Sequence, residues 1–179
     1  MDPLVAHQRA QDAFADVLSS LTPEQLDAPT PCAGWTVRDL VDHVVGGNCR
    51  MAGLDPPRPT DLPGWIDAHA ASARAAQEAF AAPDGLTRMM AMPFGTVPGS
   101  VVIGLRTTDA LTHAWDLARA VGLPTDLDPE LAAETLVAAR QRVGPDLRGP
   151  GRPFAAEQPC DPARPAADQL AAFLGRRVE

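Results

Sequence analysis

The chain has 179 residues and a formal net charge of −8; hydrophobic residues make up 45% of it, aromatics only 4%, and tyrosine is absent. That length suits one domain, 1–179, with a single core, while the acidic balance, with 15 basic residues that are all arginine and no basic cluster standing out, excludes nucleic acid as an expected partner. No apolar run approaches the ~18 residues of a membrane span, the N-terminus lacks a basic start followed by an apolar core, and Cys32, Cys49 and Cys160 are too irregularly spaced for a disulfide framework, so a cytoplasmic location is expected.

The alanine-rich, aromatic-poor composition predicts an all-α fold. A first helix is expected from about Leu4 to Leu21, with Ala10, Phe14, Val17, Leu18 and Leu21 on one stripe. His7, near its frayed start, reads as a surface residue. Pro23 then suits the first position of a short turn after Thr22. A second helix begins near Thr36, where Thr36 and Asp39 have capping-box spacing. Leu40, His43, Val44 and Gly47 share one face of it, which puts His43 on the stripe expected to face the core.

The prolines of "DPPRPTDLPG" predict a loop, and a third helix is expected from about Trp65 to Ala81, with His69 near its apolar face. "APDGLTRMMAMPFGTVPG" reads as another loop. The fourth helix, about Ser100 to Val121, ends at Gly122 and Pro124 in the usual stop order. A fifth starts with Asp128 as cap and Pro129 at its first position and runs to about Val143. A Pro/Gly-rich segment follows and is expected to wrap over the bundle before a short last helix, about Ala166 to Leu174. The expected architecture is four long helices plus short additions.

The fourth helix has an unusual candidate inner face, carrying Val102, Arg106, Asp109, His113, Asp116 and Ala120. Unpaired buried charges cost several kcal/mol each, about enough to exclude an ordinary core stripe. Asp109 and His113 are one turn apart and point the same way, so they can meet a divalent metal or each other. His43 on another helix would be a third ligand, giving two nitrogens and one carboxylate with a coordination position left open; His69 competes for that role. Arg106, one turn before Asp109, either orients an anionic substrate or pairs with a ligand carboxylate. Asp116 is either an acceptor fixing a ligand histidine or an exposed charge. Cys32 reads as a buried structural cysteine, although a helix start also stabilises a thiolate. Trp35 and Trp115 read as packing anchors.

The blocks "TPCAGWTVRDLVDHV" and "RTTDALTHAWDLARAVG", in that order, resemble the actinobacterial stand-alone branch of the DinB-like superfamily, whose relatives include the N-terminal metal-binding domain of the mycothiol-dependent maleylpyruvate isomerases; the resemblance extends to the closing "AADQLAAFLGR". It implies a DinB-like four-helix bundle binding zinc or nickel through His43, Asp109 and His113, with Asp109 where the isomerases have Glu. It also implies thiol chemistry: a metal-activated low-molecular-weight thiol such as mycothiol, transferred or added to a small electrophile. Such bundles often pair as homodimers. The isomerases carry a second, C-terminal domain that these residues lack, so maleylpyruvate isomerisation itself is not expected. The alternative is a non-catalytic bundle that binds a metal or another ligand.

Overall fold

The computed structural model describes residues 1–149 and 154–178. The helices are α1 (Pro3–Ser19), α2 (Val37–Ala52), α3 (Leu62–Ala81), α4 (Gly99–Val121), α5 (Pro129–Arg142) and α6 (Ala166–Phe173). Short 3-10 turns lie at Pro23–Asp27 and Pro145–Leu147, and two strands, β1 (Met89–Met92) and β2 (Gly95–Pro98), form an antiparallel hairpin. The fold is the expected DinB-like all-α bundle: α1 packs on α4, α2 on α3, and the α1–α3 and α2–α4 contacts close the ring.

Local chemistry sets the helix ends that the site depends on. The Thr36 hydroxyl accepts from the Asp39 amide at 3.3 Å and the Asp39 carboxylate accepts from the Thr36 amide at 2.9 Å, the reciprocal pair that starts α2. Gly53 at φ 69° and Gly122 at φ 73° adopt the left-handed conformation that stops α2 and α4. In both cases the following amide closes the motif, Leu54 to the Cys49 carbonyl and Leu123 to that of Ala118, each at 2.9 Å.

Three apolar clusters hold the elements together. Phe14, Leu18, Leu40, Val44, Trp65 and Leu117 fill one end of the bundle, and Met51, Ala76, Phe80, Val102 and Ile103 fill the other. A third joins the outer side of α4, through Leu111 and Trp115, to Leu131 of α5 and Leu170 of α6. Between the two bundle clusters lies a buried polar layer with members from all four helices: His7 and Gln11, Asn48, His69, and Arg106.

That layer corrects the expected exposure of His7, which is fully buried and donates from Nδ1 to Gln77 Oε1 at 2.7 Å. Its Nε2 then accepts from Gln11 Nε2 at 3.3 Å. Gln11 and Asn48 exchange two amide hydrogen bonds at 3.0 and 3.1 Å, and His69 Nε2 donates to Gln11 Oε1 at 3.0 Å. Burial lowers the pKa of both histidines, His69 to about 4, so each stays neutral.

Two loop expectations are also corrected. α3 starts at Leu62 rather than near Trp65, because Asp61 caps the Gly64 amide at 2.9 Å and Pro63 fits the first turn. The segment before α4 contains the β hairpin, with Pro93 and Phe94 at its turn. Part of the expected wrapping segment, residues 150–153, lies outside the described residues; of the rest, Phe154 packs against the outer cluster.

Candidate metal centre

The "TPCAGW" segment folds into a hook that carries two side chains over the bundle. The Thr30 amide donates to the Trp35 carbonyl at 3.0 Å, as does the Thr30 hydroxyl, which also accepts from the Cys32 amide at 3.1 Å. Gly34 supplies the left-handed residue the turn requires, at φ 81°. Trp35 is thereby laid against both candidate ligand rings, 5.0 Å from the His43 centroid and 6.1 Å from that of His113.

Below the hook, α2 and α4 bring His43, Asp109 and His113 together. Asp109 Oδ1 lies 3.3 Å from His43 Nε2 and 3.6 Å from His113 Nε2. The two imidazoles meet edge to face at 5.0 Å. His43 does not face the core as expected; its side chain is 39% exposed and forms the outer wall of the site. His69 is buried against Gln11, facing a separate pocket between α1 and α3, and is not part of this centre.

Each carboxylate of α4 has its own arginine. Arg106 Nη1 donates to Asp109 Oδ2 at 2.9 Å, and its Nη2 donates to the Val44 carbonyl at 3.3 Å and Asn48 Oδ1 at 3.4 Å, which anchors the guanidinium in the buried polar layer. Gly47 makes room for it, since a Cβ there would stand 2.5 Å from the guanidinium carbon. Asp116, fully buried, accepts from His113 Nδ1 at 2.9 Å and from Arg176 at 2.9 and 3.2 Å.

The electrostatics follow from this pairing. Burial alone raises the pKa of Asp109, but the Arg106 and His113 charges outweigh it and hold the carboxyl well below its usual range. Burial lowers that of His113, and the Asp109 charge with hydrogen bonds to Asp109 and Asp116 more than reverses this. Asp116 is likewise desolvated upward and drawn below its ordinary value by its His113 and Arg176 contacts. Both carboxylates are ionised acceptors at neutral pH.

Two donor sets share His113 among the described residues, His43–Asp109–His113 and Cys32–His113–Asp116, each with ligand atoms within 4.8 Å of one another. They are not equivalent. The Arg176 guanidinium sits 2.9 Å from Asp116 and 3.5 Å from Cys32 Sγ, so a cation already occupies the second set. The first opens into a cavity of about 410 Å³ with Trp35 and Arg106 in its lining. Nδ1–H is committed to Asp116, so it is the Nε2 proton, facing Asp109 and His43, that a metal cation would displace to free a lone pair for ligation. Zinc–ligand bonds of about 2.0–2.2 Å place donor atoms roughly 3–3.5 Å apart; the 3.3 Å separation falls in that range and the 3.6 Å one just beyond it.

Some of this lay beyond the sequence reading. Cys32 packs against the bundle core as a partly buried residue and also reaches the site, donating to Asp116 Oδ2 at 3.2 Å. Arg176, Met92 and Phe94 also line the cavity. Trp115 is the buried anchor expected, with Nε1 donating to Asp168 Oδ1 at 2.7 Å. All three cysteines are free, and no helix among the described residues is long and apolar enough to cross a membrane.

The family model for the mycothiol maleylpyruvate isomerase N-terminal domain matches residues 7–61, a span that holds His43 but not Asp109 or His113. Two Mycobacterium tuberculosis proteins, uncharacterized protein Rv0738 of strain ATCC 25618 / H37Rv and uncharacterized protein MT0763 of strain CDC 1551 / Oshkosh, are each 59% identical to this chain, the match covering 99% of it and all of the relative. The crystal structure of the mycothiol-dependent maleylpyruvate isomerase superposes with a TM-score of 0.61 at 21% identity, covering 76% of this chain and 67% of that one. A mutant of that enzyme gives the same score at 19% identity, covering 80% and 72%. These similarities to solved structures bear on the fold.

Proposed function

This chain belongs to the same family as Rv0738 and MT0763, a DinB-like branch resembling the N-terminal domain of mycothiol-dependent maleylpyruvate isomerase, and from that premise we propose that it is a metal-dependent, thiol-handling enzyme of the cytoplasm whose 179 residues act as one domain. His43, Asp109 and His113 hold one divalent metal, zinc or nickel. The observation that carries this reading is the convergence of three donors from two helices on one cavity, with Asp116 fixing the third in the ligating tautomer. When bound, such a metal lowers the pKa of a coordinated thiol so that a thiolate is available at neutral pH. The thiol is of low molecular weight, mycothiol being the one the related isomerase uses, and its partner is a small electrophile that accepts the sulfur.

The chain's own residues prepare the site. Arg106 keeps the Asp109 carboxylate ionised and leaves its Oδ1 toward the two histidines. Trp35 lies against both imidazoles and restricts how either ring can turn. Asp116, balanced by Arg176, holds His113 in place.

Elemental analysis of untagged protein beside its His43→Ala variant tests the reading. About one zinc or nickel per chain, lost in the variant while helicity is kept, is the expected result. Asp109→Glu, which restores the acidic residue of the resembling isomerases, should retain the metal. Absence of metal from the wild type after reconstitution would overturn the assignment. A metal-loaded protein that transfers no thiol to any electrophile screened would leave a metal-binding bundle without catalysis.

A further inference from the structure

The aromatic residues of this chain divide in two. Of its five Phe and three Trp, Phe14, Phe80, Phe173, Trp65 and Trp115 are buried in the core clusters. The other three, Trp35, Phe94 and Phe154, keep solvent exposure, and all three line the cavity into which His43, Asp109 and His113 open. They arrive from the hook, from the hairpin turn and from the segment before α6, so no single element's packing accounts for their meeting. Apolar surface gathered at one concavity, rather than scattered singly, is the mark of a ligand groove.

Each ring is held by its own element. The hook fixes Trp35. The Phe154 amide donates to the Leu147 carbonyl at 3.2 Å, and its carbonyl accepts from the Gly149 amide at 2.9 Å. The hairpin sits on the bundle through Met90, Met92 and Val97, which leaves Phe94 61% exposed at its turn.

The polar side chains of the same lining are already engaged inside the protein. Arg106 pairs with Asp109 and Arg176 with Asp116. The Thr108 and Thr112 hydroxyls donate to carbonyls of their own helix at 2.9 and 2.7 Å. Away from the metal donors the wall therefore offers apolar contact, with Met92 and Leu105 extending the aromatic surface. Its volume of about 410 Å³ lies within the roughly 300–1,000 Å³ of small-molecule sites.

We propose that this cavity takes a small ligand with an aromatic or alkyl body, packed among Trp35, Phe94, Phe154 and Leu105 with its other end at the metal donors. Under the thiol chemistry proposed above, on which this identification rests, that ligand is the electrophile, and the sulfur acceptor is an apolar-bodied molecule. The apolar pocket itself does not depend on a metal.

The test is fluorescence titration of the neutral dye N-phenylnaphthylamine, whose emission rises in apolar surroundings, into metal-stripped and metal-loaded protein. Wild type is compared with Phe94→Ser and Leu105→Gln in the lining, and with Met89→Ser, which alters an equally exposed residue of the same hairpin outside it; circular dichroism checks that all remain folded. The dye should bind both wild-type forms, about three- to tenfold more weakly to each lining variant, and unchanged to Met89→Ser. Hexanol should displace it about tenfold more effectively than butanol, as two added methylenes predict. No binding, displacement that ignores chain length, or equal affinity in wild type and both lining variants overturns the proposal. So does a loss in Met89→Ser as large as that in Phe94→Ser, which would put the dye on the outside of the hairpin. The expected pattern in a protein that takes up no metal supports the pocket and overturns the metal reading, and with it the assignment of the ligand as the electrophile.

Discussion

Asp116 has no exposed surface, yet it answers to three cationic or donor groups, His113, Arg176 and Cys32. Replacing it by Asn keeps the shape and removes the charge, leaving the Arg176 guanidinium without its counter-ion. The expected loss is about 3 kcal/mol of stability and about 10–100-fold in metal affinity, because a neutral amide is a weaker acceptor for His113 Nδ1–H than the carboxylate. Urea denaturation and competition with a chromogenic chelator read the two effects separately; unchanged affinity would show that Asp116 does not orient His113. At this scale the sequence reveals what lies within one or two turns. Asp109 and His113, and His113 and Asp116, can be paired from spacing alone. Arg176 reaches Asp116 from 60 residues away and Gln77 reaches His7 from 70, and no local pattern announces either. His7 therefore reads as a surface residue, and the contact of Cys32 with Asp116, 84 residues away, goes unread.

The two glycines of α2 make opposite predictions about the same helix. Gly46→Ala should stabilise the protein by about 0.5–1 kcal/mol, since the methyl meets open space and the helix gains propensity. Gly47→Ala should destabilise it despite the same gain in propensity, because the new Cβ displaces the Arg106 guanidinium from Val44 and Asn48. Thermal denaturation of the two variants decides, and a stabilised Gly47→Ala would mean that Arg106 can be re-seated freely. The elements themselves were legible where chemistry marks their ends: the Thr36–Asp39 box, the stop at Gly122, the Asp128–Pro129 start. The hairpin was not, because each strand has only four residues, "MMAM" is poor in strand formers, and Pro93–Phe94 is not a glycine-type turn pair.

Across the whole molecule, the buried layer ties stability to pH. His69 has a folded pKa of about 4 against an ordinary value of 6.5. The unfolded chain thus binds more protons in that interval, and the stability His69 contributes is fully present above about pH 6.5 and lost as pH falls toward 4. Between pH 7 and pH 5 this amounts to about 2 kcal/mol. Denaturant unfolding at both pH values should show a smaller acid-side loss in His69→Gln than in wild type, with His7 supplying part of what remains. Equal losses would mean that His69 is not held neutral.

The same layer has a consequence for anyone altering the protein. Its hydrogen bonds run between named atoms on α1, α2, α3 and α4, so a helix sliding by one turn would leave several buried amides and imidazoles without partners. The apolar clusters above and below it impose no such discrimination, because one aliphatic contact substitutes for another. A directed-evolution library that randomises Leu40, Val44 or Phe80 while sparing Gln11 and Asn48 should therefore yield many folded members with the His43–Asp109–His113 spacing intact. One that spares the aliphatics and randomises Gln11 and Asn48 should lose alignment before it loses helix content.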